Sequence, residues 1–167
     1  MIETKIYNVL FLCTGNSARS IMAEKLMEHW GRGKFKAFSA GSFPTGKVNP
    51  FAMQTLQAHK LSTEDVRSKS WDEFAVEGAP HIDFIFTVCD NAAGESCPVW
   101  LGHPMTAHWG VEDPAAAEGS DEEKLASFRE VCRHLENRIK LFVALPIEKL
   151  DNMHIKQELE AIGKVQD

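Results

Sequence analysis

Cys13 and Arg19, with Thr14, Gly15, Asn16, Ser17 and Ala18 between them and Ser20 after, set a thiol and a guanidinium around a loop suited to a tetrahedral oxyanion. Gly15 and Asn16 tolerate left-handed backbone angles, which such a loop needs if its N–H groups are to converge on one point. Arg19 can fork onto two oxygens of the anion. Cys13 then lies at the floor of the cradle, in a field expected to depress its pKa and keep it as thiolate. A thiolate beneath a bound oxyanion is a nucleophile. The plain alternative is a cysteine that only ends a buried strand.

Such a loop needs a strand before it and a helix after it, and both are legible. The apolar run from Lys5 to Leu12 predicts a buried parallel strand over 5–12, and the spacing of apolar residues after Ser20 predicts a helix over 19–31. That order leaves N–H groups unpaired at the helix start, where the macrodipole favours negative charge. Further strands are predicted at 35–40, 82–88 and near 105–109, and helices at 50–60, 121–144 and 151–162. The alternation implies an α/β fold, a single-domain open parallel sheet of about four strands with helices on both faces. Asn49-Pro50 reads as N-cap and N1, and Ser120 with Glu123 as a capping box. Leu125, Phe128, Cys132, Leu135, Ile139 and Phe142 form one apolar stripe, which makes Cys132 a core residue.

Residues 89–104 and 110–120 lack periodicity and follow predicted strands. Ligands in open α/β sheets sit beyond the carboxyl ends of the strands, so Cys13, Cys89 and Asp113 should open on one crevice. The body is taken as residues 1–147 and a helical tail as 148–167. That tail reads as a helix stopped by Gly163; whether it covers the body or meets a second subunit stays open.

With 167 residues, 44% of them hydrophobic and 25% charged, the composition is that of one soluble globular domain. The net charge of −6 argues against nucleic acid or an anionic membrane as the main partner. An anionic substrate must therefore be bound by local groups, the loop N–H groups and Arg19. No apolar run approaches the roughly 18 residues of a membrane span, and Met1 to Lys5 is not the start of a secretory signal, so a cytoplasmic location is expected. Four cysteines in such a chain do not suggest a disulfide framework.

Cys13 to Ser20, Ser39-Ala40-Gly41, Asn49-Pro50, Cys89 to Cys97-Pro98 and His108-Trp109-Gly110-Val111-Glu112-Asp113-Pro114 occur in this order. In these motifs, spread over about residues 5–145, the chain resembles the arsenate reductases built on the low-molecular-weight phosphotyrosine phosphatase fold. The resemblance implies a cysteine relay. Cys13 attacks arsenate, Cys89 attacks the sulfur of Cys13 and releases arsenite, and Cys97 displaces Cys13 to leave a Cys89–Cys97 disulfide for an external reductant, thioredoxin or glutathione with glutaredoxin. Reducing As(V) to As(III) takes two electrons, which a thiol pair supplies by becoming a disulfide. Seven residues separate Cys89 from Cys97, one more than is usual in the members compared.

The resemblance also implies a general acid in Asp113-Pro114, with Glu112 the competing carboxylate, and a Ser20 hydroxyl that steadies the Cys13 thiolate. Some relatives hold potassium behind the loop, at positions matching Asn16, Glu24, Ser39 and an acidic residue. Here the last position is Lys69, whose ammonium would take the ion's place, so no bound metal or cofactor is expected. A zinc site from Cys89, Cys97, His103 and His108 lacks the short knuckle spacing of structural zinc. Two other functions stand beside the reductase. One is a phosphatase acting on phosphotyrosine or small phosphoesters, against which the Ala115-Ala116-Ala117 run counts because it lacks the aromatic residues that flank a phosphotyrosine ring. The other is a non-catalytic, anion-binding thiol sensor.

Overall fold

The strand β1 (Tyr7–Leu12) sets the layout, because both of its faces are apolar. Val9 and Phe11 enter one buried cluster, while Leu10 and Leu12 enter another. A strand buried on both faces belongs inside a parallel sheet. The computed structural model, which describes residues 5–89 and 103–165, places it there. The sheet order is β2 (Phe35–Ala40), β1, β3 (Phe84–Thr87) and β4 (Met105–His108), and every neighbouring pair is parallel. Leu12 lies opposite Ala40 and Thr87, and Thr87 opposite His108, so all four strands end along one edge.

The helices α1 (Arg19–Trp30), α2 (Pro50–Ala58), α3 (Asp121–Val143) and α4 (Asn152–Gly163) all send apolar residues into the cluster of Val9 and Phe11. Among the described residues, the opposite face is covered by Trp71 and Phe74 of a 3-10 turn, with Ile82 beside them. Phe86, Trp109 and Phe142 are fully buried together, the Trp109 ring stacked on Phe86 at 3.7 Å between centroids. Burying each such ring stabilises the fold by about 1.5–3 kcal/mol. No helix among the described residues is long and apolar enough to cross a membrane.

The expected caps are formed. Asn49 accepts from Phe51 N, and Ser120 and Glu123 bond reciprocally. Two strands start later than expected. The carboxylate of Asp83 accepts from Asn8 N while its own N–H donates to Asn8 O, so a side chain takes a position in the ladder before Phe84. The helix expected at 50–60 stops at Ala58, and Lys60 turns the chain in the left-handed region at φ 61°.

The tail departs from expectation in its glycine. Gly163 is the last residue of α4 rather than a left-handed stop. A Cβ there would sit 2.4 Å from His108 O and 2.9 Å from the Trp109 ring, so the glycine permits close approach to the end of β4. Ile155, Leu159 and Ile162 join the main buried cluster, and the Trp109 indole donates to Leu159 O.

Candidate functional site

The chain leaves β1 at Leu12 and turns through residues 13–18 into α1. Its carbonyls are tied outward: Thr14 O accepts from Phe43 N, Gly15 O from Thr45 N and Ser68 Oγ, and Ser17 O from Asn49 N. With the carbonyls held on the rim, the N–H groups are left to face the inside of the turn. Ala18 caps α1 without a side-chain acceptor, which leaves the first-turn amides to whatever the loop binds.

Of the two residues expected to be left-handed, Asn16 is, at φ 44°, and Gly15 is not. Asn16 is fully buried, its Nδ2 donating to Ser20 Oγ and its Oδ1 accepting from Lys69 N. Gly41 packs against the loop so closely that a Cβ would lie 2.4 Å from Thr14 O.

Cys13 and Cys89 meet at the floor of this turn, both buried. Thr14 N donates to Cys89 Sγ at 3.3 Å, and the two thiols lie close enough for each to act on the other. This overturns the expected depression of the Cys13 pKa. The Cys89 thiol, followed by burial, pushes the Cys13 thiol well above its ordinary range, against the pull of Arg19. The guanidinium is close to Cys13 in sequence, whereas the second thiol is brought to it only by the fold. Cys97 lies outside the described residues. Cys132 is fully buried in the core as expected, its pKa pushed up to about 12 by burial and then by Glu136.

Arg19 reaches from the first turn of α1 to the segment that follows β4. Its Nη1 donates to Val111 O at 3.1 Å, and its Nη2 lies 3.9 Å from Asp113 Oδ2. Asp113 Oδ1 caps the 3-10 turn Pro114–Ala116 through Ala115 N. Of the two neighbouring carboxylates, Asp113 is the one the structure pairs with Arg19.

Behind the loop, Lys69 Nζ donates to Arg67 O at 3.0 Å and Ser39 Oγ at 3.4 Å and sits 3.7 Å from Glu24 Oε1. Ser39 Oγ in turn donates to Glu24 Oε1. Burial raises the Glu24 pKa, with Lys69 as the main opposing influence, and burial lowers that of Lys69. The ammonium therefore stands beside two of the groups the sequence singled out, Glu24 and Ser39, while the third, Asn16, accepts from the Lys69 backbone N–H. Among the described residues no cluster of three metal-ligating side chains occurs, and His108 Nδ1 bonds Thr87 Oγ1.

A sequence model of the low molecular weight phosphotyrosine protein phosphatases matches residues 8–157, from β1 into α4. The chain belongs to this family. An arsenate reductase of Bacillus subtilis is 37% identical over 141 residues, 84% of this chain and 96% of its own length. Among solved structures, an arsenate reductase of Archaeoglobus fulgidus is similar at 29% identity and a TM-score of 0.64, covering 82% of this chain and 99% of that one. A low molecular weight protein tyrosine phosphatase from T. tengcongensis is similar at 26% identity and a TM-score of 0.66, covering 86% and 99%. The family thus holds enzymes of both kinds on one fold.

Several residues of the site escaped the sequence reading. Gly41 was part of a motif without a role, and Ser68 was passed over although it stands beside Lys69. Lys25, almost fully buried among Glu24, Glu28 and Asp65, looked like an ordinary helix cation. Arg138 was missed as well. Its signal was an arginine three residues after Leu135 and four before Phe142, on the apolar side of α3.

Proposed function

We propose that the chain is an arsenate reductase working by a thiol relay that starts at Cys13. The observation that carries this reading is the second buried thiol, Cys89, bonded by Thr14 N and neighbouring Cys13 at the floor of the oxyanion loop. A phosphatase needs only the first of these thiols. The likeness to arsenate reductases supports the same choice.

Arsenate enters the loop formed by residues 13–20, its oxygens bound by the loop N–H groups and the Arg19 fork. Cys13 Sγ attacks arsenic, and the thiol proton leaves with an arsenate hydroxyl as water, with Asp113 passing the proton to the departing oxygen. Cys89 then attacks Cys13 Sγ. The S–As bond breaks, its electron pair stays on arsenic, and arsenite leaves with the Cys89 proton. Two thiols are oxidised to a disulfide and arsenic gains two electrons. Cys97 attacks Cys89, frees Cys13, and leaves a disulfide for an external thiol reductant, thioredoxin or glutathione with glutaredoxin. Residues 1–147 carry this chemistry and the tail from 148 braces it.

Arsenate-dependent NADPH oxidation, run in parallel with a thioredoxin system and a glutathione–glutaredoxin system, tests the reading. Turnover in either is the expected result. No turnover in both, with steady hydrolysis of p-nitrophenyl phosphate, would make the chain a phosphatase.

A further inference from the structure

The geometry points to Arg138 of α3 as a positioning residue for the Asp113 carboxylate. Arg138 is 8% exposed, and its guanidinium donates to three backbone carbonyls. Nη1 donates to Trp109 O and to Gly110 O, both at 3.0 Å, and Nη2 to Val165 O at 3.3 Å. Arg19 Nη1 takes the next carbonyl, Val111 O. Three successive carbonyls between the end of β4 and Asp113 are therefore held by two arginines, one from α3 and one from α1.

The amides of Trp109 and Val111 are tied back to Thr87 O at 2.7 Å and Val88 O at 3.1 Å, and the two arginines hold the carbonyl side of the segment up to Asp113. Glu112 and Asp113 are exposed, and on one side the segment borders a cavity of about 1060 Å³ lined also by Glu130, Val131 and His134 of α3. A carboxylate that must deliver a proton to one oxygen needs its backbone fixed to within about an ångström. Arg138 suits that task, because its planar fork holds Trp109 O and Gly110 O with Nη1 and Val165 O with Nη2 at once, where a lysine ammonium is a single point on a flexible stem. The third bond, to Val165, extends the brace to the residues that follow α4.

The proposal rests on Asp113 being the proton donor, and a double-mutant cycle separates the two ideas. Arg138→Met keeps the methylene packing and removes the donors; Arg138→Lys is the partner variant for the case in which methionine does not fold. Each is combined with Asp113→Asn. The readouts are arsenate turnover, p-nitrophenyl phosphate hydrolysis, and the inhibition constant of inorganic phosphate.

Arg138→Met is expected to slow turnover about tenfold while phosphate inhibition stays within about twofold, since anion binding does not use the acid. In the Asp113→Asn background the same change should alter the rate by less than about twofold, because the misplaced group is already gone. Arg138→Lys should fall between wild type and methionine. A tenfold loss in both backgrounds, or a parallel loss of phosphate binding, would overturn the positioning role. Asp113→Asn at the wild-type rate would instead remove the acid assignment on which it rests.

Discussion

Thr14, the first residue after the nucleophile, donates its backbone N–H to the sulfur of Cys89 at 3.3 Å, across 75 positions of sequence. The second thiol is thus held by the same loop that is shaped for the oxyanion. The loop and Cys89 form one hydrogen-bonded unit beside Cys13, and changing either thiol should be felt by the other.

Cys89→Ala should lower the pKa of Cys13. The Cys89 thiol is the largest influence raising it, so its removal leaves burial to be weighed against Arg19. Alkylation of Cys13 by iodoacetamide, followed by mass spectrometry across a pH series, should begin at lower pH in the variant. An unchanged profile would mean that burial alone keeps Cys13 protonated.

Cys89→Ser should separate the two chemistries of the family. Phosphoester hydrolysis uses the loop and an acid, so it should survive within about threefold, whereas multiple-turnover arsenate reduction should be lost. Cys97→Ser should release about one arsenite per enzyme and accumulate a Cys13–Cys89 disulfide, seen in non-reduced peptide maps. Sustained turnover of Cys89→Ser would leave the relay without its second electron donor.

Lys69→Ala removes the ammonium that faces Glu24 and Ser39. Breaking a buried pair costs 3–5 kcal/mol when nothing else compensates; Ser39 and Lys25 remain near Glu24, so about 2 kcal/mol is expected from urea midpoints. Activity in potassium-free buffer should fall, and added potassium should restore part of it. Strong potassium activation of the unaltered enzyme would show that the ammonium does not stand in for a cation.

Gly163→Ala should destabilise the protein by about 1–3 kcal/mol, because the new methyl would strike the His108 carbonyl. Chemical denaturation checks this. A neutral result would show that α4 shifts freely on β4.

The strands were legible because β1 and β3 are apolar on both faces, and Asn49-Pro50 and Ser120 with Glu123 marked two helix starts by their own hydrogen bonds. Helix ends were less so, since Lys60 and Gly163 act through local geometry that composition does not display. The loop was readable as a run of eight residues. Its support was not, because Ser68 and Gly41 act through a hydroxyl and a missing Cβ from more distant parts of the chain. The Cys13 protonation state failed for the same reason, as the decisive neighbour is 76 residues away.

Leu12 and Thr87 are cross-strand partners in adjacent parallel strands, with Cys13 one residue beyond the first and Cys89 two residues beyond the second. The two thiols are therefore brought together by the ends of neighbouring strands, about 4.8 Å apart, and not by the length of the intervening polypeptide. The sheet works as a jig. Lengthening the exposed turn near Gly78, or substituting a different crossover between β2 and β3, leaves the two strand ends that carry the thiols side by side provided that Ser68 and Lys69 keep their places. A redox pair mounted in this way is open to large evolutionary rearrangement of the chain between its members.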